Sequence, residues 1–189
     1  MADQLRIPPP VGYVNDFAEV IPAEAEAEIA GIVEEVRAKS GGEIVVVTLP
    51  SLQGRTADEL ALQIGRQWRV GRKGPPGDAR RNTGVVVLVV PKETSPDGRG
   101  HLKIETGTGT TRFITAAEAG RIADRYMIPA FRAGDYGAGI RAGVEALARE
   151  YAEEFGFELT GGAPAASAPA APRRGEGGAP VALWIVVVL

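Results

Sequence analysis

The sequence predicts an α/β fold, a three-layer α/β/α sandwich around a small mixed β-sheet. Three observations carry that expectation. The runs "EIVVVTLP" (43–50) and "VVVLVVP" (85–91) are almost wholly apolar and β-branched, the pattern of strands covered on both faces. Segments with helical spacing precede, separate and follow them, and such strands bury both faces only when helices lie above and below the sheet. A third run, "HLKIETG" (101–107), returns after a turn too short for a crossover and therefore pairs antiparallel.

Each element has its own signal. "AEAEAEIAGIVEEVRAK" (23–39) sets Ile29, Ile32, Val33 and Val36 on one helical face with glutamates between them, and "SGG" (40–42) ends it. After the first long strand, Thr56 and Glu59 form a capping box that opens a helix through Leu60, Ile64 and Trp68 to about Val70. "GRKGPPGDARRNTG" (71–84) reads as a loop and "KETSPDGRG" (92–100) as an exposed turn. "TAAE" (115–118) is a second capping box, starting a helix through Ile122, Ala123 and Tyr126 up to Pro129. The last helix runs from near Asp135 through Ile140, Val144, Leu147 and Tyr151 and stops by Gly156. Ligands of such sheets sit outside the carboxyl ends of parallel strands, where the loops Ser51–Arg55 and Arg81–Gly84 are expected to converge.

Composition narrows the chemistry. With 189 residues, 44% of them hydrophobic, and a formal charge of −3, the chain suits one globular domain with attachments. No basic stripe interleaved with aromatics is present, so nucleic acid is not an expected partner. The absence of cysteine removes disulfides, thiolate zinc sites and thiol nucleophiles. The single histidine, His101, reads as a strand-edge surface residue and leaves neither a His-based zinc cage nor a ready Ser-His-Asp triad. Any chemistry falls to carboxylates, oxygen ligands and backbone donors.

The chain divides into an extended, proline-rich arm (1–11), a domain (12–159), an Ala/Pro/Gly-rich linker (160–180) and a terminal apolar stretch, "VALWIVVVL" (181–189). The first residues lack the charged start and apolar core of a signal peptide. The linker cannot bury enough apolar surface to offset its ordering entropy. Since roughly 20 apolar residues span a bilayer, the last stretch is expected to be the first part of a transmembrane anchor.

Glu105 stands at the mouth of the glycine-rich turn in "IETGTG". A turn of that kind between strand and helix can cradle a phosphate with its N–H groups, but a carboxylate there repels one. Glu105 is therefore either a solvated strand-end residue or a cation ligand. Asp16 in "VND", Asp124 on the third helix and Asp135 in "AGDYGAG" supply further oxygens. Asp135 equally suits an N-cap, and Asp124 an exposed partner of Arg121 or Arg125. Oxygen-only side chains far apart in sequence suit a hard cation such as calcium, held in a site the fold must assemble, since the compact spacing of an EF-hand loop is missing.

The ordered set "VNDFAEVI", "GGEIVVVTLPSL", "QWRVGRKG", "NTGVVVLVVP", "IETGTG" and "AGRIADRYMIPAFRAGDYGAGI", followed by a linker and an apolar segment, resembles the TPM-domain family. That family, also called the TPM phosphatase family, includes thylakoid-lumen proteins of photosystem II repair and bacterial membrane-anchored relatives. The resemblance, from about Gly12 to Phe157, implies a membrane-tethered, extracytoplasmic (periplasmic) α/β/α domain. It also implies calcium binding and, in some members, acid phosphatase activity. Asn82 falls where the family usually has an Asp, Thr110 and Thr111 where an acid commonly follows the glycines, and Ala116 where another often lies. The expected metal set is therefore Asp16, Asn82, Glu105, Asp124 and Asp135, binding calcium weakly. The expected role is an accessory or interaction module for other membrane proteins. One alternative is a metal-dependent acid phosphatase, with Arg55, Arg80, Arg81 and Arg112 holding the phosphate; another is a ligand-free tethering or assembly domain. Arg173 and Arg174 beside the anchor favour a cytoplasmic linker on the positive-inside rule, against the periplasmic side that the resemblance implies.

Overall fold

β-Branched runs dictate the centre of the structure, a computed structural model describing residues 7–71 and 73–161. β2 (Glu43–Thr48) and β3 (Gly84–Val90) pair in parallel, with Glu43 opposite Gly84 and Thr48 opposite Val89. β4 (His101–Thr106) pairs antiparallel with β3, as its short connection requires. A further strand, β1 (Val14–Asp16), pairs in parallel with β2 and completes a sheet of order β1-β2-β3-β4. Periodicity does not reveal β1, because three residues are too few to show an alternation.

Alternate residues of β2 and β3 face opposite layers. Ile44, Val46, Val85, Val87 and Val89 pack beneath α1 (Ala23–Ser40), α3 (Ala116–Ile122) and α5 (Tyr136–Phe155). Val45, Val47, Val86, Leu88 and Val90 pack against α2 (Ala57–Gln67) and the buried Ile7. This is the expected α/β/α sandwich with a mixed sheet. The two parallel connections advance in the same direction across the sheet while α1 and α2 lie on opposite faces. One of these crossovers is thus left-handed, against a strong preference for right-handed ones.

Local chemistry accounts for most helix boundaries. Gly41 ends α1 in the left-handed region at φ 73°, where glycine carries no Cβ penalty. Thr56 and Glu59 form the complete capping box of α2. At α3 the Thr115 side chain accepts from Glu118 N (3.2 Å), while the Glu118 carboxylate turns to Arg121. The helix expected up to Pro129 runs without a gap to Arg132 but changes type on the way. α3 ends at Ile122, a π-type turn spans Ala123–Met127, and α4 covers Ile128–Arg132. Pro129 has no N–H to give and its ring would meet the carbonyl four residues back, so the wider turn accommodates it.

The register corrects one expectation about the loops. Because β2 and β3 run parallel, Ser51–Arg55 follows the carboxyl end of β2 whereas Arg81–Gly84 precedes the amino end of β3. These loops lie at opposite ends of the sheet and do not converge. Of the arm, Ile7 is buried in the α2 layer and the Pro8 carbonyl accepts from Trp68 Nε1 (3.1 Å). The linker beyond Gly161 and the segment 181–189 lie outside the described residues, and among those described no helix is long and apolar enough to cross a membrane.

Candidate functional site

Three glycine-bearing segments meet at the amino ends of β2 and β3. Asn82 takes a left-handed conformation (φ 55°), and its carbonyl accepts from Gly109 N (3.1 Å). The Gly84 carbonyl accepts from Gly107 N (2.8 Å) and from the buried Thr110 hydroxyl (2.9 Å). Glu43 Oε2 accepts from Gly71 N (2.7 Å). The approach is so close that a Cβ on Gly107 would strike the Asn82 carbonyl oxygen, and one on Gly109 the Arg81 carbonyl oxygen. The glycines of "NTG" and "TGTGT" are thus needed for backbone to meet backbone. From the other layer, Tyr151 donates its hydroxyl to Thr83 O (2.9 Å) and locks the junction to α5.

Beside this junction lies a concavity of about 260 Å³ between α2 and the end of β4. Leu62, Gly65 and Arg66 form its helical wall, Val86 its floor, and Asn82, Glu105 and Thr108 part of its rim. Asn82 Nδ2 donates to Thr108 Oγ1 (3.3 Å). Glu105 lies 3.7 Å from Lys103 Nζ. Lys103 also binds Asp58 of α2, and these partners, Asp58 first, hold its ammonium pKa above the ordinary value. Glu105 is therefore a half-buried member of a charged pair facing α2.

Of the five expected ligands, the fold brings only Asn82 and Glu105 to one place. Asp16 lies at the far edge and the opposite end of the sheet, three strand spacings or about 14 Å away laterally. Asp16 Oδ1 accepts from the Thr48 hydroxyl (2.5 Å) and Val20 N (3.1 Å), and Oδ2 from Ile21 N (2.8 Å). This clamps the turn leading into α1. Its neighbour Asn15, fully buried, accepts from Val11 N (2.8 Å) and donates to Gly12 O (3.0 Å) and Val46 O (3.2 Å). Asp124 is exposed on the π-type turn, with Arg121 paired instead to Glu118 and Arg125 set over the Tyr126 ring. Asp135 caps α5, accepting from Ala138 N (2.9 Å). Among the described residues no three His, Asp or Glu side chains gather closely enough to hold a metal ion.

Asp16→Ala is expected to cost about 2 kcal/mol, because it leaves two half-buried N–H groups and a hydroxyl without their charged acceptor. Chemical denaturation in calcium-free buffer measures the loss, and an unchanged midpoint would show that the clamp contributes nothing.

The arginines divide in the same way. Arg55 lies at the carboxyl end of β2, with its Nη1 buried and without a hydrogen-bond partner. Arg80, Arg81 and Arg112 lie at the opposite end, where Arg112 is engaged by Gly109 O (3.2 Å), Ala79 O (2.8 Å) and Glu154 (3.5 Å). Sequence reading missed the structural role of Thr83, Thr110 and Tyr151; their separation in the chain conceals it.

A family profile described as the TPM domain matches residues 14–150. Among solved structures, the chain is similar to the N-terminal domain of a protein from P. gingivalis, at 27% identity over 78% of this chain and 86% of that one, with a TM-score of 0.64. It is also similar to the N-terminal domain of a protein from Corynebacterium glutamicum, at 19% identity over 77% of this chain and 84% of that one, with a TM-score of 0.55; this likeness is one of fold alone. A search of curated proteins finds no match.

Proposed function

The chain belongs to the TPM-domain family, and from that premise we propose a binding module that takes calcium weakly at the concavity between α2 and β4. In this reading the domain is membrane-tethered and extracytoplasmic, serving as an accessory to other membrane proteins. The observation that carries the cation site is the meeting of Asn82 and Glu105, from separate segments, on one rim.

The donor set fits a hydrated, low-affinity ion. Glu105 offers a carboxylate, Asn82 an amide oxygen, and Thr106 and Thr108 further oxygens. Calcium takes six to eight oxygens, so waters must complete the shell. Lys103 and Arg66 oppose a cation at the same place. The affinity belongs with extracellular modules, roughly 10⁻⁴–10⁻³ M. The tether rests on the linker and apolar segment 160–189 read from sequence. The arrangement gives less support to phosphatase chemistry, because the arginines proposed to clamp a phosphate are split between the two ends of the sheet.

Calcium titration of the full chain by calorimetry tests this reading. Calcium at ten times its Kd should stabilise the fold by about 1.4 kcal/mol. Glu105→Gln should abolish the response, while Asp16→Asn should leave the affinity unchanged. A chain that neither releases heat nor gains stability at millimolar calcium would overturn the site and favour the ligand-free assembly role. Metal-dependent phosphoester turnover abolished by Glu105→Gln would favour the enzyme.

A further inference from the structure

A second cavity, of about 400 Å³, opens at the carboxyl end of β3, the opposite end of the sheet from Asn82 and Glu105. Leu102, Ile128, Phe131 and Tyr136 give it apolar walls, while Lys92 and Arg132 bring cations to it. Its size and mixed lining are those of a small-ligand pocket, and the carboxyl end of a parallel strand is where open α/β sheets place ligands. Ile128 and Phe131 of α4, which follows the π-type turn at Ala123–Met127, form one wall.

The charges are not internally matched. Among the described residues Arg132 has no carboxylate partner within 4.0 Å, and Lys92 has only a 3.8 Å contact with Glu93 on an exposed rim. The two nearby carboxylates, Glu93 and Asp97, border the cavity and are held by its own lining residues Tyr136 and His101, and neither lies within 4.0 Å of Arg132. Glu93 accepts from the Tyr136 hydroxyl (2.7 Å). Asp97 accepts from the Ser95 hydroxyl (2.6 Å) and Arg99 N (2.9 Å), and lies 3.0 Å from His101 Nε2. Half-buried Leu102, Ile128 and Phe131 leave apolar surface in the same cavity as the two cations.

We propose that this pocket binds a small organic carboxylate with an apolar body, its head group held by Arg132 and Lys92 and its body against Leu102, Ile128 and Phe131. An inorganic anion would leave the apolar walls wet, and a neutral hydrocarbon would leave Arg132 without a partner. The bidentate fork of a guanidinium suits a carboxylate.

Phenylacetate is the probe, titrated into the full chain and followed by NMR. Saturable shifts should centre on Leu102, Ile128 and Phe131. Arg132→Gln should weaken binding about tenfold, the effect of losing one charge-assisted hydrogen-bonding partner. Neutral 2-phenylethanol and inorganic phosphate should each bind at least about tenfold more weakly by the same reasoning. Gly100→Leu provides a steric block: a Cβ at Gly100 makes ordinary contacts of 3.7–3.8 Å with Lys92 and Val90, so the fold should tolerate the substitution while the longer side chain fills the pocket. Shifts that do not saturate, or an affinity unchanged by Arg132→Gln or by Gly100→Leu, would overturn the assignment. Equal binding of phosphate or of the neutral alcohol would do the same.

Discussion

Alanine at Gly109 should lower the stability of the domain by about 3 kcal/mol, the upper range of overpacking, and its melting temperature by roughly 6–12 °C. The Gly109 backbone is in the right-handed region at φ −73°, so the cost is not one of glycine conformation. It comes from the Cβ itself, which would press on the Arg81 carbonyl oxygen and stand 3.0 Å from the Asn82 carbonyl carbon. Those atoms are backbone and cannot rotate away like a flexible side chain. Relief would require parting Gly109 N from Asn82 O, which undoes the junction of the two loops. Differential scanning calorimetry measures the loss. Gly120→Ala serves as the control, because nothing lies within 4 Å of a Cβ there and alanine is the better helix former. A Gly109 variant as stable as the parent would show that the loops are held apart in solution.

Tyr151→Ala should cost about 4 kcal/mol, the range for emptying a buried aromatic site. The ring is fully buried, meets Phe113 edge-on at 5.0 Å and stacks over Phe155 at 6.3 Å. It also occupies the space a Cβ would need at Gly42. Tyr151→Phe should cost only about 1 kcal/mol, since Thr83 O still accepts from Glu43 N (2.9 Å) after the hydroxyl is gone. The pair separates packing from hydrogen bonding. It also carries a signature in pH. Burial raises the Tyr151 phenol above its ordinary value of about 10, so the folded chain keeps a proton that the unfolded chain releases. The associated stability is complete below about pH 10 and is lost as the pH rises toward the folded-state value. Urea midpoints across the alkaline range should fall less steeply for Tyr151→Phe than for the parent; parallel curves would count against a buried, neutral phenol.

Much of the candidate site was legible as chemistry but not as geometry. Glu105 stands out because a carboxylate beside a glycine turn is incompatible with a phosphate cradle, and the structure gives it a cationic neighbour, Lys103, two residues away on the same face of β4. Asp16 stands out equally, yet its oxygens close a turn against Thr48 instead of meeting Glu105. An aspartate clamping a turn and an aspartate awaiting a cation look alike in sequence, since both need only exposed-type residues near glycine, proline or a helix start.

By itself the sequence determined the layers. β-Branched runs demand cover on both faces, the Ile29-Ile32-Val33-Val36 spacing demands a helix above them, and the brief return into His101–Thr106 demands an antiparallel partner. These are local consequences of periodicity, capping and connection length, and a few neighbouring residues suffice to state them. Tertiary structure alone decided which ends meet. The parallel register of β2 and β3 sends Ser51–Arg55 and Arg81–Gly84 to opposite ends of the sheet, and the close approach of Asn82 to Gly109 brings together two loops far apart in the chain. It also revealed β1 and the π-type turn before Pro129. The physical reason is that a strand's two ends and two faces differ only by what the remaining chain packs against them, information that no single segment carries.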